Sequence, residues 1–310
     1  MKHKPIILFA IAAAVVAAAA FFVSNNIIRV SEPPSAPLGE RVENYNILVA
    51  HYNNQYSSPQ QFEEGIYAAN HRAAMNGAGT IRAVVVPHHL VAAEDDAVAI
   101  KTLVGQNISN IILISPDHYN KCPTPLCTAN GNYETFFGQM RASPAIVKGL
   151  VASPLVTNDP GLFDNEHGIY AVAPFIVHYL PGVSVTPLAV AIDYWKTNKD
   201  AMLALLQAQA KAGTVFIISS DFSHYLTYDE AEKMDALTKA ALATGDLDAI
   251  EKLKNPSQSD CPACLWLMAS LAKNNNFYHP VFLMHTNSAA LLHDFTVKQT
   301  TSHFAILWRE

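Results

Sequence analysis

The segment TVFIISSDFSHY, residues 214–225, decides the fold. Its first half is a continuous apolar run of strand length, rich in β-branched residues, which is typical of a buried parallel strand. The second half turns polar and places Asp221 and His224 three residues apart at the carboxyl end of that strand. Open α/β sheets bind their ligands at this edge. The segment therefore predicts one wall of an active site or a metal site.

Two earlier segments repeat this pattern of a buried strand followed by a histidine. Residues 81–86 lead to His88, and residues 110–115 lead to His118. Because the carboxyl ends of parallel strands meet at one edge of a sheet, we expect these imidazoles and that of His224 to converge. Neutral imidazole binds Zn, Cu, Fe and Ni, and an added thiolate or carboxylate narrows the choice.

Amphipathic helices separate the predicted strands. Ala97, Ile100 and Leu103 share one helical face, and Thr227 with Glu230 forms a capping box that starts another helix after His224. Strands that alternate with helices in this way predict an α/β domain with a largely parallel sheet.

Composition limits the class of protein. The chain has 310 residues, half of them apolar, a net charge of −6 and 13 histidines. This length and apolar content suit one large domain with a substantial core. Nucleic acid is not an expected partner, because phosphate binding requires a basic surface and the chain has no long run of Lys or Arg.

The N-terminus has the character of a membrane segment. Residues 6–23 carry no charge, and Lys2 and Lys4 precede them. The length of this run is close to the roughly 20 apolar residues that cross a bilayer. This charge distribution favours export of the remainder of the chain. We expect a transmembrane anchor or signal segment at residues 1–30, a Pro-rich linker at 31–43 and a folded domain at 44–310. That domain would be extracytoplasmic, or secreted if the segment is cleaved.

Five short motifs resemble those of the MEMO family, whose prokaryotic members are called AmmeMemoRadiSam system protein B. In chain order they are PH (87–88), SPDH (115–118), EHGI (166–169), SSDFSHY (219–225) and DC (260–261). The resemblance covers the chain from about residue 44 onward. It implies a fold related to class III extradiol dioxygenases, with three α/β/α layers around a central mixed, largely parallel sheet.

The resemblance also implies a mononuclear metal site. Its two histidine ligands and one cysteine ligand match His88, His118 and Cys261. The implied metal is Fe(II), with Cu or Zn as alternatives, and the implied function is that of an oxidoreductase. The residues implied to line the pocket beside the metal are His224, Asp221, His167 and Glu166.

The chemistry of these residue types agrees with such a site. Two imidazoles and a thiolate leave open positions on a metal, and a Cys at a helix N-terminus has a lowered thiol pKa. Asp221 and Glu166 are expected to orient the ligating imidazoles by accepting hydrogen bonds. His224 and His167 are expected to transfer protons near neutral pH.

The cysteines support a second interpretation. Cys261 and Cys264 form a C-x-x-C at a predicted helix start, the position of a thiol-redox pair. Their oxidation to a disulfide would remove the implied metal ligand. In an exported domain, Cys122 and Cys127 are expected to form a local disulfide bond.

Two functions are consistent with the sequence. The first is an iron-dependent oxidoreductase that acts on a small molecule, and the second is a non-catalytic protein that binds a metal or a protein partner with the same residues. Fold analogy does not separate them. A serine hydrolase is disfavoured because Ser220, Asp221 and His224 are too close in sequence to form a triad and no G-x-S-x-G turn is present.

Overall fold

The structure, a computed structural model, describes the backbone of residues 46–49 and the whole of residues 58–73, 79–277 and 280–310. The predicted anchor at 1–30 and the predicted linker at 31–43 lie outside these residues. Within the described part, no helix combines the length and the apolar character that a bilayer span requires.

The strands of the described residues form a mixed sheet. They are β1 (Asn46–Val49), β2 (Ile81–Val86), β3 (Asn110–Pro116), β4 (Leu126–Thr128), β5 (Gly131–Thr135), β6 (Gly138–Ala142), β7 (Val156–Asn158), β8 (Ser184–Val190), β9 (Thr214–Ser219), β10 (His224–Leu226), β11 (Val281–Asn287) and β12 (Thr300–Arg309). The main order is β1-β5-β6-β8-β3-β9-β2-β12-β10. The central run from β6 to β2 is parallel, and β12 pairs antiparallel with β2, β10 and β11.

The helices of the described residues connect these strands. They are α1 (Pro59–His71), α2 (Ala93–Lys101), α3 (Pro144–Val151), α4 (Pro160–Phe163), α5 (His167–Tyr170), α6 (Ala173–Tyr179), α7 (Trp195–Gln207), α8 (Tyr228–Thr244), α9 (Leu247–Glu251), α10 (Pro262–Asn274) and α11 (Ser288–Leu291). The predicted capping box is present at the start of α8, where Thr227 precedes the helix and Glu230 reaches back to it.

The central strands are apolar on both faces because helices cover both faces. In β2, Val84 packs into one core, while its neighbour Val85 packs into the other. Side chains of α1, α2 and α6 fill the first core, and side chains of α7, α9 and α10 fill the second. This arrangement confirms the predicted mixed α/β fold, with a central sheet and helices on both sides.

The segment between His118 and α3 differs from the sequence expectation. The sequence from residue 119 to about 140 shows no regular helix or strand pattern and predicts an irregular stretch, whereas the structure contains β4, β5 and β6 there. Strand β4 has only three residues and is held between β7 and β8, and β5 forms a hairpin with β6. Strands this short show no readable period, so pairing with neighbouring strands, rather than local sequence, determines them.

Close packing of α1 against α2 depends on Gly65. A Cβ at this position would lie 2.6 Å from the backbone carbonyl carbon and oxygen of Ala93, which cannot move aside. We expect Gly65→Ala to lower the free energy of unfolding by about 1–3 kcal/mol. The matched change Gly149→Ala, on the exposed face of α3 with no atom within 4 Å, should raise it by about 0.5–1 kcal/mol.

Urea unfolding of the full-length variants measures both effects. An equal change in the free energy of unfolding of the two variants would show that the α1–α2 contact tolerates a methyl group.

Candidate metal centre

Three adjacent parallel strands bring three site residues together. Strand β9 lies between β2 and β3, so Asp221 emerges between His88 and His118 at the carboxyl edge of the sheet. The ring centroids of His88 and His118 are 4.8 Å apart. The backbone N–H of His88 donates to Asp221 Oδ1 at 3.1 Å, which ties the end of β2 to the end of β9. The predicted convergence is therefore present for His88 and His118, while His224 lies on the wall of the adjoining cavity.

The carboxylate of Asp260 lies between the two imidazoles. Its Oδ2 is 3.1 Å from His88 Nε2 and 3.5 Å from His118 Nε2. The hydroxyl of Ser220 donates to Asp260 Oδ1 at 2.7 Å, and the backbone N–H of Asp221 donates to Oδ2 at 3.2 Å. Two nitrogen atoms thus converge on one anchored oxygen atom.

Cys261, the ligand implied by the family resemblance, is not brought to the imidazoles. Its sulfur is bonded to that of Cys264, is fully buried, and belongs to the hydrophobic core beneath the sheet. The cause is local, because Cys261 caps α10 and turns its side chain back toward the backbone N–H of Cys264. The residue just before it, Asp260, faces the cavity instead. The structure thus offers a carboxylate where we expected a thiolate.

The other ring nitrogen of each imidazole already has a partner. His118 Nδ1 lies 2.5 Å from Glu166 Oε1, and His88 Nδ1 lies 3.0 Å from the hydroxyl of Ser219. Such partners fix the orientation of a metal-binding imidazole and leave Nε2 for the metal. Glu166, predicted as an orienting carboxylate, makes this contact.

Gly168 allows Glu166 and α5 to approach His118. A Cβ on Gly168 would lie 2.0 Å from the hydroxyl oxygen of Ser115 and 3.2 Å from His118 Cε1. The buried Glu166 carboxylate also accepts hydrogen bonds from the backbone N–H groups of His118 and Gly168. These contacts hold the end of β3 and the start of α5 together.

The charges of the centre favour a bound cation. Burial alone would raise the pKa of Asp260, but His88 and His118 hold it well below its usual range. Burial alone would lower the pKa of His118, but hydrogen bonds to Asp260 and Glu166 raise it to about 10. The carboxylates are therefore ionised and require a positive charge beside them, which either a proton or a metal ion supplies.

His167 differs from the other two imidazoles. Its ring lies 3.8 Å from that of His118 and 5.1 Å from that of His88, measured between centroids. Burial, reinforced by those two neighbours, lowers the pKa of His167 to about 3. It is therefore neutral and offers a lone pair to a metal ion or to a hydrogen-bond donor of a substrate. A pKa this low does not support the proton transfer near neutral pH that we expected of His167. Ligand atoms of the three histidines lie within 4.8 Å of one another, a spacing suited to a shared metal ion.

The centre opens into a cavity of about 730 Å³. Predicted site residues on its wall are His88, His118, His167, Asp221 and His224. His224 Nδ1 donates to the backbone oxygen of Phe222 at 2.7 Å, which leaves Nε2 as the acceptor of the neutral ring. Glu166, predicted to line the pocket, lies behind His118. It therefore positions the His118 ring and does not line the cavity.

Several cavity residues were not singled out from the sequence. Asp260 and Tyr119 are among them, and the Tyr119 hydroxyl lies 3.4 Å from His167 Nδ1. Two further histidines lie nearby, since His89 lines the cavity and the buried His303 contacts it. The signal for Asp260 was its place in the DC motif, but sequence does not show which of two neighbours faces inward. His285 pairs with Asp235 at 2.9 Å and is not among the wall residues.

Comparison with known proteins identifies the family. The model of the family described as Memo-like protein matches residues 50–296. The chain belongs to the Memo-like family. The predicted MEMO resemblance is thereby confirmed, and it covers most of the described residues.

Curated relatives agree with membership of the Memo-like family. A MEMO1 family protein of Thermoplasma acidophilum is 23% identical over 225 residues, which are 70% of this chain and 82% of that protein. One of Caldivirga maquilingensis is 27% identical over 128 residues, 40% of this chain and 45% of that protein. One of Pyrobaculum aerophilum is 22% identical over 184 residues, 57% of this chain and 65% of that protein. The matches thus span about half to two thirds of the last two relatives.

A solved structure shares the Memo-like fold of this chain. It is that of an uncharacterized protein from Escherichia coli K12, with a TM-score of 0.50 and 16% identity. The match covers 72% of this chain and 99% of that one. At this identity the likeness concerns the fold alone.

Proposed function

We propose that this Memo-like protein is a mononuclear iron enzyme that oxidises a small molecule with dioxygen. His88, His118 and Asp260 would hold Fe(II). Copper and zinc are the alternative metals. The fold of the family and the metal-binding potential of the centre support this proposal.

One observation carries the proposal. Two imidazole Nε2 atoms face the same carboxylate oxygen at 3.1 and 3.5 Å, while both Nδ1 atoms are occupied. Two histidines and one carboxylate with open positions form the ligand set of non-haem Fe(II) oxygenases. When bound, Fe(II) would supply the redox chemistry with dioxygen, and the cavity offers room for a small substrate beside it.

The residues around the ligands suit substrate binding. His167 is neutral and borders the cavity, so it is placed to accept a hydrogen bond from a substrate hydroxyl or thiol. The Tyr119 hydroxyl contacts His167 and would restrain its ring. His224 lines the same cavity and would orient the substrate, and Asp221 would orient the His88 backbone.

We also propose that the domain lies outside the cytoplasm. Residues 6–23 would anchor it in the membrane, or would be cleaved to release it. The Cys122–Cys127 and Cys261–Cys264 disulfides support this location, because such bonds persist in oxidising compartments.

Metal content and oxygen uptake together test the proposal. The full-length chain is purified anaerobically, loaded with Fe(II), freed of excess metal and compared with His88→Ala/His118→Ala. We expect the variant to carry at least one ion fewer per chain. We also expect the wild type to consume dioxygen when catechol or a small thiol is added, and the variant not to do so.

Two outcomes would contradict the proposal in different ways. Equal iron content per chain in the wild type and the variant would contradict the metal site. Bound iron without oxygen uptake for any aromatic diol or thiol would favour the second function, a non-catalytic metal-binding protein.

A further inference from the structure

A second group of metal-binding side chains lies on the far side of Asp221. His89 follows His88 at the end of β2, and His303 lies opposite it on β12. His89 Nδ1 and His303 Nε2 are 3.3 Å apart. Ligand atoms of His89, His303 and Asp221 all lie within 4.8 Å of one another, and His303 and Asp221 are buried.

We propose that His89, His303 and Asp221 bind a second divalent metal ion of the Zn²⁺, Co²⁺ or Fe²⁺ class, adjacent to the first centre. This inference goes beyond the proposed function, because it concerns another ion and other imidazoles. Asp221 would link the two sites, since it also contacts the backbone N–H of His88. The resemblance of the motifs implied a single ion and assigned no role to His89 or His303.

The distance between the two ring nitrogens fits a shared ion. Two imidazole nitrogens bound to tetrahedral zinc at about 2.0–2.1 Å lie about 3.3 Å from each other. The observed separation of 3.3 Å matches this value.

A buried hydrogen-bond chain orients His303 for this role. The Thr286 hydroxyl donates its proton to Asp95 Oδ2 at 2.7 Å. Burial raises the pKa of Asp95 to about 7, and with this carboxylate ionised the hydroxyl accepts from His303 Nδ1, which lies 3.3 Å away. The proton on Nδ1 leaves Nε2 with its lone pair directed toward His89. Outer partners of this kind commonly fix the tautomer of metal-binding histidines.

The electrostatic state of both rings agrees with ligation. Burial lowers the pKa of His303 to about 3, and it lowers the pKa of His89 as well. Neutral imidazole is the form that binds metals. Asp221, whose pKa is lowered by His88 and His303 against the effect of burial, supplies the negative charge.

Zinc stoichiometry tests the second site. The full-length chain is stripped with a chelator, dialysed against Zn²⁺ and analysed for metal per chain by mass spectrometry. We expect two ions in the wild type, one in His303→Asn and one in His89→Asn. His118→Asn should lose the first ion and keep the second. The exposed His178, on α6 and outside every ligand group, provides the control variant His178→Asn, which should keep both.

A further control covers the remaining group of ligands near the sheet, Glu232, Asp235 and His285. If His285→Asn loses an ion while His303→Asn keeps two, the second ion lies there and the inference is overturned. Because His303 is fully buried, thermal unfolding is measured for each variant. His89→Asn, at the cavity wall, carries the test if His303→Asn does not fold.

Each stoichiometry separates the two proposals. One ion in the wild type that His118→Asn loses and His303→Asn keeps would overturn the second site and leave the first. One ion with the reverse pattern would overturn the first and support the second. Two ions unaffected by both His89→Asn and His303→Asn, or no ion at all, would also overturn the second site. A visible Co²⁺ spectrum that saturates at two equivalents in the wild type and one in His89→Asn is the independent readout.

Discussion

Asp260→Asn is expected to weaken metal binding by about 100-fold or more, because the loss of a ligand should exceed the 10–100-fold effect of losing an outer contact. Asp260 Oδ2 lies within 3.5 Å of both imidazole Nε2 atoms. The matched double variant Cys261→Ser/Cys264→Ser should bind metal as the wild type does, since both sulfurs lie in the core and neither lines the cavity. Competition with a fluorescent zinc chelator measures both affinities.

The pair of variants distinguishes the two candidate third ligands. The serine substitutions remove both thiols, so no free cysteine is left to react. A large loss of metal affinity in the serine variant, with little change of affinity in Asp260→Asn, would show that the reduced protein uses Cys261 as a ligand, as the family resemblance implies. A loss in Asp260→Asn alone would assign the carboxylate.

Glu166→Ala is expected to destabilise the metal-free protein by about 3–5 kcal/mol, the usual cost of removing one partner of a buried ion pair. The variant leaves His118 Nδ1 and the backbone N–H groups of His118 and Gly168 without their acceptor. Urea unfolding in the presence of a chelator measures this loss. Glu166→Gln, which keeps the volume and one acceptor oxygen, should lower the free energy of unfolding by less.

The same pair predicts a pH dependence. The pKa of His118 rises from 6.5 to about 10 on folding, so its contribution is complete below pH 6.5 and is lost as pH rises toward 10. Burial would raise the pKa of Glu166, but His118 lowers it below 4.5, so its contribution is lost on acidification below that value. The stability difference between wild type and Glu166→Ala should therefore be largest between about pH 4.5 and 6.5. A difference under about 0.5 kcal/mol across this range would contradict the role of the pair.

Part of the site could be predicted from the sequence because strands that are buried on both faces have continuous apolar sequences. Strands β2, β3 and β9 are covered by helices on both faces, so their sequences are continuous apolar runs. The polar residues that come after such runs stand out, which is how His88, His118 and Asp221 were found. The order of the strands, with β9 in the middle, then brings the three residues together.

The third ligand could not be read in the same way. Asp260 and Cys261 are neighbours in sequence, and both are chemically suitable for a metal. Which of them faces the imidazoles depends on the turn into α10, where Cys261 caps the helix and Asp260 is held by Ser220 and Asp221. These contacts join segments about forty residues apart and have no local signature.

His303 illustrates a second limit. It lies inside β12, whose residues from Ser302 to Trp308 are all buried, and a histidine in such a strand is most often a satisfied core residue. Only the antiparallel pairing of β12 with β2 brings it beside His89. The orienting chain through Thr286 and Asp95 likewise joins three separate elements.

By itself, the sequence determined the alternation of buried strands and amphipathic helices, and hence the mixed α/β fold. It also determined which histidines come after strand ends, because both features arise from local patterns of apolar and polar residues. The tertiary structure alone decided that Asp260 faces the imidazoles while Cys261 lies in the core. It also decided that His89 meets His303 across Asp221. These outcomes depend on side-chain directions and strand pairings between distant segments, which no local pattern encodes.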